Sequence, residues 1–118
     1  MEINSETLEN GVLRVSLSGR LDVLGAQDID IKFTALTATK KASILVDISE
    51  VSFLASLGMR TLISSAKALS HRGGLMVLYK PQPNVAEVLE TAGVTSLIPV
   101  YDDYENAINA LLLHQDYQ

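Results

Sequence analysis

The sequence contains no cysteine and no tryptophan, and its aromatic residues are limited to two phenylalanines and four tyrosines. Without cysteine, the chain cannot form disulfides, use a thiolate nucleophile or bind zinc through thiolates. A chain without cysteine suits a reducing compartment. Because aromatic side chains are so few, aliphatic side chains must fill most of the core.

Positive charge and long hydrophobic runs are also scarce. Nine Lys and Arg residues face fourteen Asp and Glu residues, which gives a formal net charge of -5. Binding to a phosphate backbone relies on clustered basic residues, so we expect no nucleic-acid partner. No window approaches the roughly 18 apolar residues of a membrane span, and the N-terminus lacks the features of a secretory signal. We therefore expect a cytoplasmic protein without membrane insertion.

Residue patterns that perform catalysis are missing as well. His71 lies near the end of a predicted helix and His114 near the C-terminus, and neither has a partner at metal-ligand spacing. Asp102 and Asp103 form a doubled acid, which at a helix start typically caps the helix and complements its dipole. No nucleophile elbow, Walker loop or dinucleotide-binding glycine pattern occurs. The sequence therefore predicts a protein that is not an enzyme and has no metal site and no cofactor.

The chain does contain a regular series of strand signals. GVLRVSLSGRLD from Gly11 alternates between polar and apolar residues, which is typical of a strand covered on one face. SILVDIS from Ser43 and GLMVLYK from Gly74 are nearly all apolar, as in interior strands covered on both faces. LIPVY from Leu97 is a shorter run, and its proline predicts an edge strand.

Between these strands the apolar residues recur at helical spacing. Asn84 is expected to cap the third helix, Gly93 to end it, and Asp102 and Asp103 to begin the last. At 118 residues the chain has the length of one domain, spanning residues 1–118. The alternation predicts an α/β fold: a mixed β-sheet with parallel crossovers and about four helices packed on it.

The junction at FLASLGMRTL (Phe53 to Leu62) is the strongest candidate for a site. The strand ILVDIS leads into a predicted loop, EVSFLAS, and a helix follows. Sites in open sheets form at the carboxyl ends of strands, where helix N-termini offer free N–H groups. Ser56 falls at this place, so it is either the helix cap or a functional residue. Phe53 and Leu54 are expected in the core.

Two segments carry a resemblance to a known family. GRLD at Gly19 to Asp22 and VDISEVSFLASLGMRTLISSAK at Val46 to Lys67 resemble STAS domains, in particular bacterial anti-sigma factor antagonists. The order of strands and helices is also similar to that family's, so the likeness extends over nearly the whole chain. The resemblance implies a single STAS-like domain, a regulatory protein-binding module of bacterial transcription.

The resemblance also implies a site. In that family the loop before the second helix typically reads Asp-Ser-Ser-Gly, and its first serine is phosphorylated by an anti-sigma factor that is a GHKL-type serine kinase. Ser56 takes the position of that first serine, whereas Ala55 replaces the aspartate and Leu57 replaces the second serine. The resemblance also implies a phosphatase that removes the phosphate from Ser56. The implied partner-binding residues are Asp22, Leu54, Ser56, Leu57, Gly58 and Met59.

Alternatives from other classes stay open. STAS domains also serve as subunits or tails of membrane transporters, including sulfate permeases and lipid-export ABC systems; without a spanning segment, this chain fits only a separate subunit. A constitutive signalling scaffold would have the same fold, but its binding would not be switched by phosphorylation of Ser56. The resemblance also suggests nucleotide binding, although this sequence shows no phosphate loop. An enzyme would rest only on the versatility of the fold.

Overall fold

A computed structural model describes residues 1–37 and 41–116 and contains one five-stranded sheet. The strands, in chain order and in spatial order, are β1 (Glu2–Thr7), β2 (Leu13–Leu21), β3 (Ser43–Leu54), β4 (Leu75–Tyr79) and β5 (Val100–Tyr101). β1 pairs with β2 antiparallel, and the later neighbours are parallel. The predicted mixed sheet is therefore confirmed, with the two-residue β5 at one edge.

Four α-helices connect the strands within the described residues. They are α1 (Val23–Thr37), α2 (Ser56–His71), α3 (Pro83–Thr91) and α4 (Tyr104–Asp116), and a short 3₁₀ turn covers Val94–Ser96. Gly93 has a φ of 77° and follows α3, as expected for a glycine that ends a helix. None of the described helices is long and apolar enough to cross a membrane.

The helices lie on both faces of the sheet. α1, α2 and α3 bury their apolar residues against one face, where Ile29, Leu62 and Leu89 join the main core. α4 packs on the opposite face through Ala107 and Leu111. α4 contacts mainly β3 and β4, so it leaves the same face of β2 uncovered. The residues of β2 on that face are polar, as the alternation of its sequence predicted.

An ion pair bridges this second face. Arg14 on β2 donates to the Asp47 carboxylate on β3, which also accepts hydrogen bonds from the amide and hydroxyl of Ser49. Burial raises the pKa of Asp47, but the hydrogen bonds from Ser49 and Arg14 outweigh it and hold that pKa below its ordinary value. The guanidinium of Arg14 also lies 5.5 Å from the ring centroid of Tyr104, so the pair links the sheet to the start of α4.

β3 is longer than the sequence predicted. It spans 12 residues, so most of the predicted loop, EVSFL, is strand. The pairing with β2 shifts register twice, between Ser16 and Ser18 and between Gly19 and Arg20. At the second shift Ser52 is an extra residue on β3, opposite no residue of β2.

Each extra residue moves the alternation of β3 by one position. Ile48, Val51 and Leu54 all face the core, whereas Phe53, which plain alternation from Val51 would bury, is 38% exposed. The prediction that Phe53 is a core residue is therefore wrong, while that for Leu54 is confirmed at 4% exposure.

β4 pairs with β3 only as far as Asp47, and the start of α3 lies beside the part of β3 that follows. The side-chain amide of Gln82 donates to the Ser49 carbonyl at 3.0 Å, and that of Asn84 donates to the Ser52 carbonyl at 2.9 Å. The prediction that Asn84 caps α3 is therefore wrong. Gln82 is the N-cap residue, and Pro83 begins the helix. The two amides replace the strand neighbour that β3 lacks here.

Candidate functional site

Three segments meet at the junction between β3 and α2. Leu21 and Leu54 pair at the ends of β2 and β3. The Ala55 amide donates to the Leu21 carbonyl at 3.0 Å, and the Met59 amide donates to the Ala55 carbonyl at 3.0 Å in the first turn of α2. The chain therefore passes from strand to helix in a single residue, fixed to β2 by a backbone hydrogen bond.

Ser56 is the first residue of α2, and it does not cap the helix. The N-cap residue is Ala55, with extended dihedral angles and no side-chain cap hydrogen bond. Ser56 is exposed, and its hydroxyl has no hydrogen-bond partner within the described part of the chain. The helix-cap interpretation is therefore wrong. The hydroxyl therefore lies on an exposed residue, and modifying it breaks no side-chain hydrogen bond among the described residues.

Gly58 lets the start of α2 lie against the end of β2. A Cβ atom at this position would lie 2.5 Å from the Leu21 carbonyl oxygen and 2.6 Å from the Leu21 Cγ. Contacts that short require the backbone to move, so only glycine permits the approach. Gly58 is buried, and its role in this structure is to position the loop.

The apolar residues predicted to bind a partner differ in exposure. Leu54 is buried in the core, so its prediction as part of an exposed binding surface needs correction: it supports the loop from below. Leu57 and Met59 are half-buried and pack against the same core, leaving part of each side chain at the surface. The accessible apolar area beside Ser56 thus comes from Leu57 and Met59.

Asp22 caps α1 next to this loop. Its Oδ1 accepts a hydrogen bond from the Gly25 amide at 2.9 Å, and its Oδ2 lies 3.4 Å from the Nε of Arg20. The hydrogen bond from Gly25, followed by that from Arg20, lowers the pKa of Asp22. Asp22 directly follows Leu21, which holds Ala55, so the two segments quoted for the family resemblance are adjacent in space.

The sequence reasoning missed an exposed pair beside the site. The guanidinium carbon of Arg20 lies 4.3 Å from the ring centroid of Phe53, a cation–π contact between residues opposite each other in the β2–β3 register. Arginine and aromatic residues are enriched in protein interfaces. Arg20 lies opposite Phe53 only because Ser52 is an extra residue on β3, so the pair could be found only from the strand register.

A groove between α1 and α2 was also missed. It has a volume of about 420 Å³; α1 contributes Asp30 and Ile31 to its walls, and α2 contributes Leu57 and Arg60. Ile31 is 86% exposed, which plain helical spacing could have indicated because Ile31 lies off the buried stripe of α1. The groove begins at Leu57, the residue after Ser56.

Both histidines lie at the far end of α2 from this loop. His71 is exposed in the last turn of α2, and the Nε2 of His114 lies 3.1 Å from the Gly73 carbonyl oxygen. Among the described residues, no group of three or more His, Cys, Asp or Glu side chains is arranged to hold a metal ion. At the junction, Ser56 offers an exposed hydroxyl.

Comparison with known proteins identifies the family. The profile of the STAS domain matches residues 4–107. An anti-sigma F factor antagonist of Paenibacillus polymyxa is 28% identical over 102 residues, 86% of this chain and 87% of that protein. The crystal structure of an anti-sigma factor antagonist from Mycobacterium paratuberculosis has a TM-score of 0.83 and 24% identity, covering 93% of this chain and 92% of that one.

The antagonist SpoIIAA has a similar fold in two states. Its unphosphorylated form has a TM-score of 0.72 and 21% identity, covering 92% of this chain and 95% of that one. Its phosphorylated form has a TM-score of 0.64 and 20% identity, covering 92% and 98%. Because the family profile spans most of the sequence and the fold agrees, the chain belongs to the STAS domain family.

Proposed function

We propose that this protein is a cytoplasmic anti-sigma factor antagonist, switched by phosphorylation of Ser56. It binds an anti-sigma factor that is a GHKL-type serine kinase, and so frees a sigma factor for transcription. The observation that carries the proposal is the exposed Ser56 hydroxyl, which begins α2 and has no hydrogen-bond partner in the described chain. Relatives named as anti-sigma factor antagonists supply the class of partner.

A phosphate on Ser56 is compatible with the fold. Phosphorylation adds about -1.5 to -2 charges. At the start of a helix the macrodipole favours negative charge by about 0.3 to 1 kcal/mol. Because Ser56 is exposed and makes no side-chain hydrogen bond in the described chain, modification breaks no contact there. The modified protein therefore stays folded, and a phosphatase can return it to the binding state.

The same phosphate weakens binding to the partner. A partner that covers Leu57 and Met59 must also cover Ser56, and would have to remove water from the new charge. Desolvating a charged group costs several kcal/mol in real proteins unless its pairing in the complex repays that cost. A hundredfold loss of affinity requires only about 2.7 kcal/mol. Binding can therefore be switched while folding is retained.

The partner-binding surface in this proposal centres on four residues. Ser56 is the switch, Leu57 and Met59 provide apolar contact, and Asp22 holds the start of α1 beside them. Leu54 and Gly58 hold the loop from below. Ala55 lacks the carboxylate found at this position in the family pattern, so the kinase must accept Ser56 without that neighbouring acid.

The test is a pull-down from lysate of the native cell with wild type, Ser56→Ala and Ser56→Asp as baits. We expect wild type and Ser56→Ala to recover a GHKL-type kinase, and Ser56→Asp to lose it. Phosphopeptide mapping of the wild type should find phosphate on Ser56. The matched control is Ser70→Asp, which adds the same charge at an exposed serine in the last turn of α2, outside the groove, and should keep binding.

Other results would contradict the proposal. Recovery of no kinase, together with an unmodified Ser56, would remove both the partner and the switch. Equal recovery of a membrane transporter by all baits would instead favour a transporter subunit. Equal loss of the kinase with Ser56→Asp and Ser70→Asp would show that added charge at either end of α2 disturbs binding, and that Ser56 is not a specific switch.

A further inference from the structure

Arg60 lies one helical turn after Ser56 on the exposed side of α2. Side chains four residues apart on a helix are neighbours, with Cβ atoms about 5 to 6 Å apart. Long helical side chains lean towards the N-terminus of their helix. The Arg60 side chain can therefore reach back over the turn that contains Ser56.

The guanidinium of Arg60 has no other partner among the described residues. Across residues 1–37 and 41–116, no ion pair, hydrogen bond or cation–π contact involves Arg60. Asp30 faces it across the groove from α1, yet the two form no ion pair. α2 itself contains no acidic residue that could compete for Arg60.

The other arginine near this end of the sheet is already engaged. Arg20 stacks on Phe53 at 4.3 Å and lies 3.4 Å from the carboxylate of Asp22. A phosphate that recruited Arg20 would have to break both contacts, and Asp22 would repel it. In the part of the chain that the structure describes, Arg60 has no such contacts to lose.

We propose that Arg60 is the counter-ion of a phosphate on Ser56, pairing with it inside the same chain. This inference rests on the proposed phosphorylation of Ser56. Arginine forms charge-assisted, often bidentate hydrogen bonds with phosphate oxygens. Phosphorylation then changes the surface in two ways: it adds negative charge, and it withdraws a free guanidinium that an acidic group of the partner could have used. Arg60 acts as a positioning residue that fixes where the phosphate lies.

The test does not need the kinase. The full chain is produced with phosphoserine encoded at position 56, and the phosphate is titrated by ³¹P NMR from about pH 4.5 to about pH 8, around its second pKa near 6. A neighbouring cation favours the doubly charged phosphate, so Arg60→Ala should raise this pKa by about 0.3. Arg60→Lys keeps the charge and should retain most of the effect. Lys67→Ala, nearly two turns further along α2, is the matched control and should leave the pKa unchanged.

Salt provides a second readout. The difference between wild type and Arg60→Ala should shrink in about 1 M salt, where exposed charges are screened within about 3 Å. An unchanged phosphate pKa in Arg60→Ala, or a rise caused by Arg20→Ala instead, would overturn the inference. Neither result would change the outcome of the kinase pull-down, which tests the proposed function separately. Conversely, a clear Arg60 effect without any recovered kinase would support the pairing while the proposed function failed.

Discussion

Replacing Ser56 by alanine distinguishes a helix cap from a free hydroxyl by the sign of the change in stability. If Ser56 capped α2, Ser56→Ala would cost about 1 kcal/mol. For a chain of 118 residues this corresponds to a drop in Tm of about 4 °C. In the structure Ser56 is instead the exposed first residue of α2, with Ala55 as the N-cap. Alanine is the better helix former by up to about 0.5 kcal/mol, so we expect the Tm to stay unchanged or to rise by about 2 °C.

Asp103→Ala is the matched control, because the side chain of Asp103 caps its helix, whereas the side chain of Ser56 does not. Its Oδ2 accepts a hydrogen bond from the Asn106 amide at 3.0 Å at the start of α4. Removing it should cost about 1 kcal/mol and lower the Tm by about 4 °C. Both variants are measured by thermal unfolding followed by circular dichroism at neutral pH. An equal drop in Tm for Ser56→Ala and Asp103→Ala would refute the assignment of Ala55 as the cap.

Three further changes test the surroundings of the site. Gly58→Ala should destabilise the protein by about 1 to 2 kcal/mol in urea unfolding, since the clash with the Leu21 carbonyl exceeds the gain in helix propensity; a stabilised variant would contradict the close approach. Phe53→Ala should cost about 1 kcal/mol, against about 3 to 5 kcal/mol for the fully buried Phe33→Ala, and similar losses would place Phe53 in the core. Because its pKa is lowered in the folded state, Asp47 contributes stability that is complete above about pH 4 and is lost as the pH falls through the folded-state pKa. Asp47→Asn should therefore show a shallower fall in Tm between about pH 4 and about pH 2 than wild type, and parallel curves would remove Asp47 from the acid response.

Local patterns were sufficient to predict the architecture. The alternation around Val15 and Leu17 on β2 and the apolar run around Val46 on β3 distinguish a strand with one polar face from one buried on both sides. The helical spacing of apolar residues predicted helices between the strands, and in α1 the apolar Ile29 and Phe33 are fully buried. These signals depend on neighbours a few positions apart, which a sequence displays directly.

The errors lie where pairing between distant segments decides the local structure. Ser52 is an extra residue only because β2 pairs beyond it, and this pairing turns Phe53 outwards. Asn84 resembles a helix cap in sequence, yet its amide fills the place of a missing strand on Ser52. Ser56 also resembles a cap, but the hydrogen bond from Ala55 to Leu21 places the cap one residue earlier. None of these contacts is encoded by adjacent residues.

The two register shifts in β3 make the number of residues before Ser56 a structural constraint in its own right. Each shift reverses which side of the strand the following side chains face, and two shifts together restore the original sense for the segment that enters α2. A single deletion in this stretch would turn Leu54 outwards and rotate the hydroxyl of Ser56 away from its present surface. During divergence the exposed positions of the segment can therefore exchange side chains, whereas changes in its length would be retained only in compensating pairs.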